Sequence, residues 1–130
     1  MKKTIMLAAL TIIFGLFAGC SSISENCNLT GSWKYTFEEN DKDTTETGSM
    51  VLAQDSYKLS GKANDAFGEF ILSGTNVAGS PSLIIDGVRN DGNRTFHITG
   101  TLTSDNQFEG TYTTNQNTAG TIEATRVGAK

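Results

Sequence analysis

The chain has 130 residues, with ten Lys and Arg against 14 Asp and Glu, and a formal net charge of −4 at pH 7. That length supports one domain, and the acidic balance disfavours nucleic-acid binding, which wants a basic face. One histidine, His97, and two cysteines, Cys20 and Cys27, leave few ligands for a metal site.

The N-terminus reads as a processing segment. Lys2 and Lys3 precede an uncharged run, IMLAALTIIFGLFA, from Ile5 to Ala18. The run is shorter than the roughly 20 apolar residues of a spanning helix and matches the core of a secretory signal, a cleaved N-terminal helix. Ala18 and Gly19 then precede Cys20. The stretch Leu16-Phe17-Ala18-Gly19-Cys20 resembles the lipobox of bacterial lipoprotein precursors, with Phe17 where that family has Leu. The resemblance implies cleavage between Gly19 and Cys20, and a diacylglycerol thioether with further acylation (palmitate or a similar chain) at Cys20. Two or three acyl chains hold a protein firmly on a membrane, where one holds it marginally. Ser21 and Ser22 stand where inner-membrane members of that family carry Asp, which implies the outer membrane in a Gram-negative host. An ordinary secreted protein cut nearby is the alternative.

The expected organisation is a signal peptide at 1–19, a lipidated tether at 20–28 and a domain at 29–130. Cleavage removes two lysines, so the mature chain of 111 residues carries −6. That charge opposes docking on anionic lipid, and membrane contact is assigned to the acyl anchor. Cys27 is then odd, either a free thiol or a bond between chains.

From Leu29 onward the signal is alternation at period two. Trp33, Tyr35 and Phe37 alternate with Ser32, Lys34 and Thr36; Tyr57, Leu59, Gly61 and Ala63 with Lys58, Ser60 and Lys62. In 95–103, Phe96, Ile98, Gly100 and Leu102 share one face and His97 lies on the other. Phe108, Gly110 and Tyr112 follow the same rule. About eight strands are predicted, near 30–38, 48–54, 57–63, 68–73, 82–88, 94–102, 107–113 and 120–127. Turn chemistry at Asp55-Ser56, Asn90–Asn93 and Thr103–Gln107 predicts short hairpins and a meander. The acidic stretch 38–47, with Glu38, Glu39, Asp41, Asp43 and Glu46, predicts a solvated loop lacking the spacing of a calcium-binding EF-hand. Glycine recurs on the apolar face, at Gly31, Gly61, Gly100 and Gly110, which suits tightly coiled strands. The expected fold is therefore all-β, an antiparallel up-and-down barrel of about eight strands, with a two-sheet sandwich as the alternative.

Gly31-Ser32-Trp33 on the first strand and Arg126 ending the last resemble the calycin barrels: lipocalins, fatty-acid-binding proteins and avidins. The resemblance implies Arg126 lying across Trp33 at one barrel end, a cation–π contact with guanidinium donors to nearby carbonyls. Biotin binding is rejected, because it needs several tryptophans and Trp33 is alone.

No Gly-x-Ser-x-Gly elbow is present, and a Ser-His-Asp triad would have to use the outward His97. The expected function is a non-catalytic, lipid-anchored envelope module with no cofactor or metal, holding a small apolar or amphipathic ligand at unassigned residues. The competing expectation is an interaction or hydrolase-inhibitor barrel acting on an envelope protein through 21–28 or the 38–47 loop, or a structural envelope lipoprotein.

Overall fold

In a computed structural model of the chain, residues 28–40, 44–76 and 80–128 are described. The expectations at Gly19, Cys20, Ser21, Ser22 and Cys27 lie outside them. Eight strands follow in order: β1 (Gly31–Glu39), β2 (Thr45–Asp55), β3 (Lys58–Asp65), β4 (Gly68–Asn76), β5 (Ser82–Arg89), β6 (Thr95–Ser104), β7 (Gln107–Thr114) and β8 (Ala119–Gly128). Each pairs antiparallel with the next, and β1 also pairs with β8, which closes the barrel. Closure leaves no unpaired strand edge. The up-and-down barrel is thus the observed fold, and the sandwich is excluded.

Alternation sets the inside. Trp33, Tyr35 and Phe37 from β1, Met50 and Leu52 from β2, Phe70 and Leu72 from β4, Phe96 and Ile98 from β6, and Phe108 and Tyr112 from β7 are all buried. Burying rings of this size supplies much of the apolar transfer energy of so small a core. The rings touch in sequence: Tyr35 to Phe37 at 5.0 Å between centroids, Phe37 stacked on Tyr112 at 4.1 Å, and Phe96 between Phe37 and Phe70 at 5.5 and 5.0 Å.

So many rings fit because glycines give way. A Cβ on Gly87 would lie 2.4 Å from the Phe96 ring, so the ring rests on the β5 backbone. Gly61 serves strand coiling instead. There a Cβ would lie 2.0 Å from the Val51 carbonyl oxygen on the neighbouring strand. Strands coil this tightly only where a side chain is missing.

Two details differ from the sequence reading. The β2–β3 turn is Ser56-Tyr57, closed by the Asp55–Lys58 pair, with Ser56 at φ 64°. Tyr57 is therefore an exposed turn residue and not part of the inner face. Strand β2 also starts at Thr45, three residues earlier than expected, which draws Glu46 out of the acidic loop and into the sheet.

Candidate functional site

The two barrel ends differ, and the difference locates the site. At one end the structure brings Trp33 and Arg126 together. Their Cα atoms are paired across β1 and β8, and the guanidinium lies 4.6 Å above the Trp33 ring centroid. The guanidinium donates to the carbonyls of Thr30, Asn28 and Asp105 and to Asn106 Oδ1. The indole N–H donates to the Leu29 carbonyl at 2.9 Å. Leu29 is itself fully buried and takes its place through a backbone N–H to Gln54 Oε1. Gly31 begins the strand that delivers Trp33, and Phe108 closes on the indole from β7 at 5.2 Å. This end is a plug: segment 28–30 covers it and Arg126 ties that segment to the β6–β7 turn.

Partial burial holds the Arg126 guanidinium below its ordinary pKa, opposed by the nearby Asp105. An ammonium carries the same charge without the planar fork that spans four acceptors. Arg126→Lys is expected to lower stability by about 1–2 kcal/mol, read as a fall in the circular-dichroism melting temperature. A melt equal to that of the parent would show that the fork contributes nothing.

The opposite end is open. There a cavity of about 240 Å³ lies above a floor made by Phe37, Phe70, Phe96 and Tyr112. The middle of the barrel below is filled by rings, so this cavity stops at the mouth. The wall is polar. Glu39 ends β1 in phase with Trp33, Tyr35 and Phe37; Glu46 is in phase with Met50 and Leu52; Asp65 is in phase with Leu59 and Ala63. Three adjacent strands thus turn a carboxylate inward at the mouth. The expected solvated loop is corrected here, because strand pairing extends through both Glu39 and Glu46. Asp41 and Asp43 lie outside the described residues.

Asp65 is fully engaged. Its Oδ2 accepts from the Tyr35 hydroxyl at 2.9 Å and its Oδ1 from the Phe67 backbone N–H at 2.8 Å. Gly48 leaves room for that hydroxyl, since a Cβ there would lie 2.5 Å from it. Burial, and then Asp65, push the Tyr35 hydroxyl well above the tyrosine range, so it stays protonated and donates. Arg94, from the β5–β6 connection, lays its guanidinium over the Phe67 ring at 3.7 Å. The Ala66 backbone N–H weakly favours the charged Glu46 carboxylate, while its Oε2 is shielded from solvent and meets no donor. Burial, and then the neighbouring Asp65, hold the Glu46 carboxyl above its ordinary pKa.

A carboxyl whose pKa is raised by folding binds its proton more tightly when folded. Its contribution to stability is full below the unfolded pKa and is lost as pH rises through the folded one. Glu46→Gln carries no charge at any pH. It is expected to melt ~3–5 °C above the parent at pH 7 and to lose that advantage near pH 4. A difference independent of pH would contradict the assignment.

His97 faces outward, as its alternation requires. Its Nδ1 is hydrogen-bonded to Asp86 on β5, and Thr99 Oγ1 lies 3.4 Å from Nε2. The set resembles a triad only in connectivity. It lies on the outer face of the barrel, with His97 and Asp86 half exposed, away from the cavity.

No protein-family model and no curated protein matches the chain. Among solved structures, a redesigned β-barrel superposes with a TM-score of 0.65 at 22% identity, covering 85% of this chain and 99% of its own. A de novo designed fluorescence-activating β-barrel gives 0.62 at 16% identity over 81% and 99%. A redesigned barrel with the dye DFHBI bound gives 0.58 at 19% identity over 81% and 98%. At these identities the likeness is one of fold: a closed, eight-stranded antiparallel barrel.

Proposed function

We propose that the chain is a lipid-anchored binding module of the bacterial envelope, held at Cys20, which takes a small apolar or amphipathic molecule into the mouth of its barrel without catalysis. The observation that carries the binding reading is the cavity of about 240 Å³ on an aromatic floor, at the end away from the Trp33–Arg126 plug. Drug-sized pockets span roughly 300–1,000 Å³, so the guest is smaller, about ten non-hydrogen atoms. Three structural neighbours hold the dye DFHBI, which is compatible with this use of the fold. The anchor rests on the sequence alone, on Ala18-Gly19-Cys20 after the apolar run. With Ser21 and Ser22 following, the reading places the protein at the outer membrane of a Gram-negative host.

The inhibitor and structural readings draw support from the packed barrel interior. The binding module is preferred because the packing stops at Phe37, Phe96 and Tyr112, leaving a walled space above them.

Mass spectrometry of protein purified from its host membranes tests both parts. The expected result is a chain that starts at an acylated Cys20 and that releases a small molecule on denaturation. Unmodified Cys20 with the signal intact would refute the anchor. Protein free of any guest that also fails to take up a small aromatic alcohol at millimolar concentration would refute the binding reading.

A further inference from the structure

The cavity wall sets three carboxylates, Glu39, Glu46 and Asp65, against one cation, Arg94. The remaining titratable group facing the space, Tyr112, and Tyr35 behind Asp65 are neutral hydroxyls at physiological pH, both raised first by burial. Asp65 is satisfied by Tyr35 and by the Phe67 N–H, and Glu39 takes a hydrogen bond from the Thr44 hydroxyl at 3.3 Å. The unbalanced charge falls on Glu46, which sits in the field of Asp65 with one oxygen shielded and undonated. Two like charges at a partly desolvated mouth repel, and a positive group brought against them relieves that repulsion. Arg94 shows how this end holds a cation: a positive group laid on a ring, 3.7 Å from the Phe67 centroid, in the field of Glu46. Aromatic faces with carboxylates above them favour organic cations.

We propose that the guest is a cationic amphiphile, a small organic amine whose ammonium group sits against Glu46 and whose apolar body lies on the Phe37–Phe96–Tyr112 floor. This rests on the binding reading above and specifies its ligand class. An ammonium at this place would also draw the Glu46 pKa back toward its ordinary value.

The test uses three probes with one phenyl ring and different heads: phenethylamine, phenethyl alcohol and 3-phenylpropionate. Each is titrated at pH 7 into the mature protein by calorimetry. The ammonium is expected to bind at least tenfold tighter than the alcohol, and the carboxylate more weakly than either. Glu46→Gln should bring the amine to the affinity of the alcohol and leave the alcohol unchanged. Arg94→Met, which removes the competing cation, should tighten the amine severalfold and provides a second reading if Glu46→Gln folds poorly. Equal binding of amine and alcohol would overturn the amine inference and leave the binding module standing. Preference for the carboxylate would overturn it in favour of Arg94 as the head-group contact. Failure of all three probes would remove both.

Discussion

Trp33→Ala is expected to cost about 3–5 kcal/mol of stability, the range for deleting a large buried aromatic side chain. Trp33 is fully buried and has three partners: Phe108 tilted against its ring, Arg126 above it and the Leu29 carbonyl on its N–H. Its loss opens a void at the plugged end and leaves the Arg126 guanidinium without its aromatic seat. Trp33→Phe keeps a ring but not the donor, and is expected to cost about half as much, leaving a buried carbonyl at Leu29 unpaired. Urea unfolding followed by circular dichroism measures both. A loss below about 1 kcal/mol for the alanine variant would show that the plug does not hold the barrel shut.

Gly61→Ala is the second large effect, at about 2–4 kcal/mol. One added methyl would sit 2.0 Å from the Val51 carbonyl oxygen and 3.1 Å from the Leu52 Cα, so β2 must move away from β3. The clash is with main chain, which cannot rotate aside as a side chain does. Gly92→Ala is the matched control. Gly92 has φ +79° but no atom within 4 Å of an added Cβ, so only the backbone conformation is penalised, by about 1–2 kcal/mol. Equal losses at the two sites would mean that strand coiling is not what Gly61 provides.

The strands were legible because one face is buried and the other wet. Phe96, Ile98, Gly100 and Leu102 lie inward and His97, Thr99 and Thr101 outward, as the alternation in 95–103 requires. The topology followed from hairpin turns too short for any other connection. The mouth was harder to see. Glu39 and Glu46 fall in a run of acids, and charge is normally read as exposure. Continuing the phase of Trp33-Tyr35-Phe37 to Glu39, and of Leu52-Met50 back to Glu46, would have placed both inward. Asp65 carried the same signal, in phase with Leu59, Gly61 and Ala63. Phase alone misplaced Tyr57, because a two-residue hairpin consumes Ser56 and Tyr57 before β3 begins. Which residues form the cavity floor depends on the closure of β1 onto β8, and no local pattern records that pairing.

The two ends divide the labour of the molecule. The Trp33–Arg126 end has its polar groups satisfied and its aromatic face covered, so it stabilises the fold. The mouth has aromatic surface below and unbalanced carboxylate above, so it is the end with binding capacity left. Chemical-shift mapping of the ¹⁵N-labelled mature domain, titrated with phenethyl alcohol and then phenethylamine, tests this division most directly. The expected result is saturable shifts at Glu46, Asp65, Phe67, Arg94, Phe96 and Tyr112, with the Trp33 indole N–H and the Asp105-Asn106 turn unmoved. Shifts centred on the Trp33 end, or on the exposed outer pair Ile71 and Val88, would contradict it.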